Sequence, residues 1–401
     1  MINLVKDTIS NSDIDNLIDW LKTYPRLTKG PITLELEKKW SEWIGVKYSV
    51  FCNSGSSANL LMLSAFIENS FGNKKYWLSP RRSERKKLKI IVPSVSWATD
   101  LAPVMQLGIR PILCDCNLDD LSIDLDHLED LLIGHGTVDA LLLVSVLGLV
   151  PDMDKIKDLC KKYDVTLLED TCESMGSKYN GQNLGTFGDM STFSTFFGHH
   201  ISTIEGGFVS TNNKELYNLL LSLRSHGWDR DLDKKAQDEL RQSWGVSGFE
   251  SMYTFYYPGF NLRSTDLNAF IGIGQIDNLN EWGKIRERNF NMYQELIKNN
   301  YWKPKSNSNH FTSNFSYPII HPERNKIVKK LQDNDVEVRP LVCGSMGKQP
   351  FYIKQWGNVE LPNANKVDYY GLYVPNNPKL TEDEVITVAN LVNDVICNDT
   401  Q

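Results

Sequence analysis

The sequence predicts an α/β fold with a mostly parallel sheet and helices on both of its faces. Short apolar segments alternate with amphipathic stretches through the first 210 residues, and near Tyr253 this pattern changes to mixed helix, strand and hairpin fragments. A chain of 401 residues is also too long for one simple core. We therefore expect a large α/β domain over residues 1–250 and a smaller carboxy-terminal α+β domain over residues 251–401.

The strands and helices of the large domain can be placed in order. Helical spacing of apolar residues predicts helices over Ser122–Leu132 and Asp152–Tyr163. Buried strands are predicted at Lys89–Pro93, Pro111–Asp115, Ala140–Ser145 and Val165–Asp170. Ligands of such sheets bind beyond the carboxyl ends of the strands, so Asp170, His199 and residues 53–57 should face one crevice.

Composition and charge exclude several classes of protein. A net charge of −7 gives no basic surface for nucleic acid, and no apolar run approaches the ~20 residues of a membrane span. No signal-peptide pattern is visible at the amino terminus. The seven cysteines are scattered, and Cys114 and Cys116 do not have metal-site spacing. We expect a cytoplasmic protein with reduced thiols, no metal and no membrane partner.

Two charged segments interrupt the alternation of apolar and amphipathic stretches. The first, Asn73 to Lys89, contains the basic residues from Arg81 to Lys87 and fits either a solvated loop or a phosphate-binding role. The second, Asp229 to Gln242, is expected to form a helix or an excursion near the domain junction.

Two motifs have the residue types of a binding site. Gly55, Ser56 and Ser57 lead directly into a helical run, where free N–H groups and hydroxyls suit a phosphate, although such residues are also ordinary helix caps. Asp170 ends an apolar strand, where a carboxylate can keep a pyridine nitrogen protonated or can cap a helix. Glu173, three residues later, could share the same site.

The segment from Phe187 to Gly207 makes a family resemblance specific. A strand containing Ser194 leads into Gly198-His199-His200 and a polar loop that ends Glu205-Gly206-Gly207. With the preceding motifs, this order resembles the pyridoxal-phosphate sugar aminotransferases of the DegT/StrS type. Those proteins have a lysine eight positions before the second glycine, and here that position is His199. Ile204 replaces a glycine of the family loop.

Further segments extend the resemblance from about residue 25 to about residue 390. They are Gly30-Pro31 before a helix, and the runs at residues 223–227, 258–266 and 336–341. The resemblance implies the aspartate-aminotransferase type of fold (fold type I), with a mostly parallel sheet of the seven-stranded type in the large domain.

The histidine changes the activity that the resemblance implies. A lysine would bind the aldehyde of pyridoxal 5′-phosphate covalently, whereas imidazole cannot, so this cofactor and its amine form, pyridoxamine 5′-phosphate, should be held non-covalently. Histidine titrates near pH ~6.5 and can move protons at neutral pH. The same change occurs in a subgroup of sugar 3-dehydratases, which implies dehydration rather than amino transfer.

By resemblance, the substrates are a GDP-linked 4-keto-6-deoxy hexose of the mannose type and L-glutamate. The enzyme would remove the C3 hydroxyl and release 2-oxoglutarate and ammonia, on the way to colitose-type 3,6-dideoxysugars of lipopolysaccharide O-antigens. A CDP-sugar relative uses an iron–sulfur cluster, which the absence of cysteines between Cys172 and Cys343 argues against. A sugar aminotransferase and a catalytically silent sugar-nucleotide-binding relative stay open as alternatives.

The resemblance also implies roles for individual residues. Trp97 should stack on the pyridine ring, with a core tryptophan as the alternative. Asn261 should reach the phosphate from a neighbouring subunit, which makes a homodimer part of the site. His226 and Arg339 are candidates for substrate binding, against a plain surface histidine and a structural salt bridge. The cofactor phosphate should be held by Gly55, Ser56, Ser57 and Ser194, and the ring by Asp170 and Glu173, with His199 as the catalytic residue.

Overall fold

The computed structural model describes residues 1–72 and 88–397, and its first half is built around one large sheet. The elements up to residue 211 are α1 (Asn11–Leu21), α2 (Pro31–Ile44), β1 (Tyr48–Cys52), α3 (Gly55–Gly72), β2 (Lys89–Pro93), α4 (Ala98–Gln106), β3 (Arg110–Cys114), α5 (Leu125–His135), β4 (Ala140–Val144), α6 (Met153–Lys162), β5 (Thr166–Asp170), β6 (Lys178–Tyr179), β7 (Gln182–Asn183), β8 (Met190–Ser194) and β9 (Gly207–Thr211). The basic residues from Arg81 to Lys87 lie outside the described residues.

The second half contains more helix and one small sheet. Its elements are α7 (Lys214–Arg224), α8 (Lys234–Trp244), α9 (Asp266–Ile276), α10 (Leu279–Leu296), β10 (Tyr317–Ile320), α11 (Arg324–Gln332), β11 (Arg339–Pro340), α12 (Pro350–Trp356), α13 (Pro362–Tyr370), β12 (Gly371–Val374) and α14 (Glu382–Ile396). The second charged segment, Asp229 to Gln242, is helical from Lys234, where α8 begins.

The large sheet has seven strands in the order β1-β9-β8-β5-β4-β2-β3. Neighbouring strands from β8 to β3 pair in parallel, and β9 pairs antiparallel with both β8 and β1. The predicted α/β class with a mostly parallel sheet is confirmed. The carboxyl ends of β5 and β8 lie side by side, because Asp170 is in register with Thr192.

Helices cover both faces of this sheet, as the burial of β4 shows. All five β4 residues are buried. Ala140, Leu142 and Val144 pack into the core that includes Met62 of α3, while Leu141 and Leu143 pack into the core that includes Ile156 of α6. Successive side chains of a strand point to opposite faces, so a continuous apolar run is the expected pattern for a strand buried on both.

Capping explains where α5 begins. The prediction started this helix at Ser122, whereas the structure starts it at Leu125. The side chain of Asp124 accepts the N–H of His127 at 2.9 Å, which satisfies a free donor of the first turn and defines the start of the helix.

A second, antiparallel sheet of three strands has the order β10-β12-β11 and lies within residues 317–374. Helices α11 and α14 pack together on this part of the chain. The domain division at residue 250 stays a prediction. In the described ranges, none of the helices combines the length and the apolar character needed to cross a membrane.

Candidate active site

A cavity of about 290 Å³ lies at the carboxyl ends of β5 and β8, next to the start of α3. Binding sites are usually concave and lined by apolar groups with a few convergent polar ones. The predicted site residues that line this cavity are Gly55, Ser56, Trp97, Asp170, Glu173, Ser194, His199 and Arg339. The expected common crevice therefore exists, and the role of each residue stays a prediction.

The start of α3 is packed so closely that only glycines fit. A Cβ atom on Gly55 would lie 2.5 Å from the Cβ of Ser194, and one on Gly207 would lie 2.6 Å from the carbonyl carbon of Ser54. Ser54 itself caps the helix, because its Oγ accepts the N–H of Ser57 at 3.0 Å. Ser57 thus belongs to the cap and does not line the cavity, while Gly55 and Ser56 do.

Asp170 is held in a fixed orientation at the end of β5. One carboxylate oxygen, Oδ1, accepts the N–H of Cys172 at 2.8 Å, and Oδ2 accepts the side-chain amide of Asn59 at 2.6 Å. The residue is buried yet borders the cavity. An anchored carboxylate of this kind fits the nitrogen of a protonated pyridine ring.

Glu173 lies one turn further along the chain. Its Oε2 accepts the backbone N–H of Leu147 at 2.9 Å, which fixes the carboxyl group in the wall of the cavity. Burial, helped by the nearby charge of Asp170, raises the pKa of Glu173 to about 7. Glu173 can therefore hold or release a proton near neutral pH.

His199 presents an unprotonated ring nitrogen to the site. Its Nδ1 lies 2.8 Å from the carbonyl oxygen of Cys172. A carbonyl only accepts hydrogen bonds, so Nδ1 carries the hydrogen and Nε2 carries the lone pair. Burial lowers the pKa of the imidazole, which keeps it neutral at neutral pH.

The neighbouring His200 is in a different environment. It is buried, its Nε2 lies 2.9 Å from the carbonyl oxygen of Ser313, and it does not line the cavity. Spacing to Gly207 selected His199 rather than His200, and the structure places His199 in the cavity wall.

Aromatic side chains surround the polar groups. Trp97 is 55% exposed at the start of α4 and can offer its ring face to a ligand. Phe196 and Phe315 form apolar walls beside His199. The site thus combines three features: the start of α3, the buried carboxylate of Asp170 and the exposed indole of Trp97. Together they fit a phosphorylated pyridine ring.

Arg339 borders the cavity and also takes part in an ion pair. It lines the cavity, and its guanidinium forms an ion pair with Glu337, which also lines it. The side chain of Arg339 is 54% exposed. Both roles considered for Arg339, ligand binding and a salt bridge, are therefore compatible with its position.

Asn261 and His226 lie together but away from the cavity lining. The side-chain oxygen of Asn261 accepts the Nε–H of Arg263 at 3.0 Å, and His226 Nε2 lies 3.4 Å from an Arg263 nitrogen. Exposed aromatic side chains follow in the same part of the chain, namely Phe249, Tyr253 and Phe255.

Sequence reasoning missed several residues of the site. Asp100 and Asn59 are buried next to Asp170, and both join its hydrogen-bond network. Their signals were weak: each is a single polar residue in the first turns of a helix. The other cavity-lining residues that were not predicted include Leu4, Val5, Phe196, Phe315, Glu337 and Tyr373.

Comparison with known proteins identifies the family. The model of the DegT/DnrJ/EryC1/StrS aminotransferase family matches residues 8–393, so the chain belongs to this family. The resemblance stated from the motifs is confirmed.

Its relatives include sugar dehydratases. The chain is 33% identical to GDP-4-keto-6-deoxy-D-mannose 3-dehydratase of Yersinia pseudotuberculosis over 91% of either chain. It is 34% identical to the protein of the same name from Escherichia coli O55:H7, over 89% of this chain and 91% of the relative. A crystal structure of GDP-4-keto-6-deoxymannose-3-dehydratase with a trapped PLP-glutamate geminal diamine superimposes with a TM-score of 0.85 at 30% identity, covering 98% of this chain and 100% of that one. The aminotransferase type of fold is thereby confirmed.

Proposed function

We propose that this protein is a pyridoxal-phosphate-dependent nucleotide-sugar 3-dehydratase. It removes the C3 hydroxyl of a GDP-linked 4-keto-6-deoxy sugar of the mannose type, and L-glutamate serves as the amino donor. The observation that carries this proposal is His199, an imidazole in the cavity wall at the position of the family's lysine, with its Nε2 unprotonated. The relatives at 33% and 34% identity are named for the same reaction.

The cavity has the groups needed to hold the cofactor without a covalent bond. When bound, pyridoxamine phosphate supplies an amine and a ring that stabilises negative charge. Gly55, Ser56 and Ser194 converge at the start of α3, where a phosphate is favoured. Asp170 would keep the ring nitrogen protonated and Trp97 would cover one face of the ring, since both residues line the cavity.

His199 moves the proton of the reaction at its Nε2 atom. The Cys172 carbonyl holds Nδ1–H, which fixes both the tautomer and the direction of the ring. The lowered pKa keeps Nε2 available to accept a proton at neutral pH. Once protonated, the same nitrogen can deliver the proton to the departing hydroxyl, so that water leaves. Phe196 and Phe315 line the cavity beside His199.

The anionic parts of the substrates require cationic partners. Arg339 is positioned to bind either the diphosphate of the sugar nucleotide or a carboxylate of glutamate, because it borders the cavity and is partly exposed. If Arg339 binds either of these groups, its guanidinium must leave Glu337 or contact Glu337 and the substrate together. His226 is proposed to contact substrate from across a subunit boundary.

A homodimer with shared sites belongs to the same proposal. Asn261 and His226 do not line the cavity of their own chain, and the proposal therefore assigns them to the active site of a second copy. Exposed aromatic side chains at Phe249 and Tyr253 support an interface in this part of the chain, since large apolar surface is usually covered. A cytoplasmic location stays a prediction.

One incubation separates this function from its alternatives. The purified protein receives pyridoxal phosphate, L-glutamate and GDP-4-keto-6-deoxymannose, and the products are measured. We expect ammonia, 2-oxoglutarate and a 3-deoxy-4-keto sugar. An aminated sugar would instead identify an aminotransferase, and sugar-nucleotide binding without turnover would identify a catalytically silent relative. Replacing GDP with CDP in the substrate tests the choice of nucleotide.

A further inference from the structure

A second buried carboxyl group lies beside Asp170 in the wall of the cavity. It belongs to Asp100, in the first turn of α4, which has no exposed surface. One of its oxygens, Oδ2, accepts the backbone N–H of Trp97 at 2.8 Å. The other, Oδ1, is bound by the same side-chain amide, that of Asn59, which also binds Asp170, so the two carboxyl groups lie close together. Asp100 thus connects Asp170, which would face the ring nitrogen of the cofactor, with the backbone of Trp97, which would cover the ring.

Asn59 keeps the two carboxyl groups together. Its side-chain nitrogen donates to Oδ1 of Asp100 at 3.0 Å and to Oδ2 of Asp170 at 2.6 Å. Its side-chain oxygen accepts the hydroxyl of Thr192 at 2.6 Å, which determines the orientation of the amide. One donor group therefore bridges both acids, and the oxygens next to it cannot move apart without breaking a buried hydrogen bond.

The surroundings of the pair do not compensate for two negative charges. Glu173 adds a third carboxyl group nearby, the thiol of Cys172 lies close to Asp170, and the thiol of Cys343 lies in the neighbourhood of Asp100. Within residues 1–72 and 88–397, no lysine or arginine side chain hydrogen-bonds to Asp100 or Asp170. Burial, followed by the charge of Asp170, raises the pKa of Asp100 well above the usual carboxyl range. Repulsion between two neighbouring buried carboxylates favours a state in which one of the two acids keeps its proton.

We propose that Asp100 is a positioning residue that shares one proton with Asp170, and that this shared proton sets how strongly Asp170 binds the ring nitrogen of the cofactor. The inference rests on the proposed function for its cofactor, but the shared proton itself is a property of the chain alone.

The effect of Asp100 on Asp170 follows from a hydrogen bond donated to the carboxylate form of Asp170. A protonated Asp100 would donate a hydrogen bond to Asp170, which favours the carboxylate form that can face a protonated ring nitrogen. The pair then carries one negative charge, which matches the single positive charge on the ring. Without the shared proton, two buried carboxylates would repel each other beside the ring.

Infrared spectroscopy of the cofactor-free protein tests the shared proton directly. A protonated carboxyl group has a carbonyl stretch that is separate from the bands of a carboxylate. We expect absorption of this kind in the wild-type protein at neutral pH, and we expect the part that comes from Asp100 to be missing in Asp100→Asn. The matched control is Asp120→Asn: Asp120 is a second acid whose pKa burial raises, to about 7, but it does not line the cavity.

Addition of pyridoxamine phosphate to the same samples links the proton to the cofactor. The band removed by Asp100→Asn should shift in the wild-type protein when the cofactor binds, while the band removed by Asp120→Asn should not move. If Asp100→Asn removes no band, or if the band it removes ignores the cofactor, the proposal is wrong.

The pH dependence of the unfolding free energy provides a second test, because it would not change if Asp100 only filled space. The folded protein keeps a proton on Asp100 that the unfolded chain releases, so this group makes the protein less stable as pH rises above the ordinary carboxyl pKa of ~4. Asp100→Asn should therefore gain stability relative to the wild type as pH rises from about 4 to 8. A difference that is constant with pH would overturn the shared proton. Both measurements work whether or not the protein dehydrates a sugar, so failure of the proposed function is seen separately, in the product assay.

Discussion

His199 and Phe315 pack ring against ring, with their centroids 5.3 Å apart and their planes at 46°. Phe315 also contacts the ring of His200. A hydrogen bond fixes the backbone of this phenylalanine, because the buried guanidinium of Arg286 donates to the carbonyl oxygen of Phe315 at 3.0 Å. A residue of helix α10 thereby determines the surface on which the proposed catalytic imidazole rests.

Replacement of Arg286 by methionine should raise the pKa of His199. The positive charge of Arg286 helps to lower that pKa in the folded protein, and methionine fills similar space without the charge. We expect an upward shift of less than about one unit, measured by NMR titration of the histidine ring. Arg286→Lys is the control, since it keeps the charge. Equal shifts in the two variants would show that charge is not the cause.

Replacement of His199 should separate cofactor binding from the reaction. In His199→Asn we expect the rate of dehydration to fall by about 10²–10⁴-fold, the range for loss of a general base, while the Kd of pyridoxal phosphate changes little. His199→Lys restores a primary amine and should attach the cofactor covalently, detected by mass spectrometry after borohydride reduction. Undiminished dehydration in His199→Lys would exclude His199 as the base.

The pH dependence of turnover should reflect the partly buried imidazole of His199. Because burial lowers the pKa of His199, the base stays unprotonated at pH values where an exposed histidine is already protonated. The acidic limb of the kcat profile is thus expected below pH ~6.5. An acidic limb above the ordinary histidine value would mean that another group controls it, and the candidate would be Glu173, whose pKa burial raises to about 7.

Ile204→Gly should stabilise the protein. Ile204 has a φ of 69° in the loop before Gly206, and its side chain is 47% exposed. A β-branched residue is disfavoured in this left-handed conformation, whereas glycine adopts it freely. We expect a gain of about 0.5–1 kcal/mol in unfolding free energy after the entropy of the unfolded glycine is counted. Ile204→Ala keeps a Cβ atom and is the control; it should not exceed the glycine variant.

Mixed dimers test the sharing of active sites. Asn261→Ala and His199→Asn should each be inactive as homodimers if Asn261 serves the partner's site. When the two proteins are unfolded together and reassembled, half of the dimers are mixed and each mixed dimer has one intact site, so about a quarter of wild-type activity should return. No recovery, with mixed dimers demonstrated by mass spectrometry, would place Asn261 at the site of its own chain.

The fold could be predicted because its signals are local. The run from Ala140 to Val144 is apolar at every position, and a strand buried on both faces needs this pattern. His199 could be selected because its spacing to Gly207 is a property of one short loop. The boundaries were less accurate where a single side chain decides them, as Asp124 does for α5.

The hydrogen-bond network beneath the site could not be predicted in the same way. Asn59 and Asp170 are separated by 111 residues and meet only because α3 packs against the sheet. Arg286 has no sequence signal of its role, since its partners are backbone carbonyls that any residue could supply. Pairing across long separations depends on the tertiary fold, which periodicity and motif spacing do not contain.

The imidazole in the place of an amine also has a consequence for how the protein must be handled. In the proposed site the cofactor would be held without a covalent bond and could dissociate, so its occupancy would follow the free concentration in solution. Dilution or dialysis would empty the sites, and added cofactor would refill them and raise the melting temperature. Specific activity would then depend on the buffer as much as on the polypeptide.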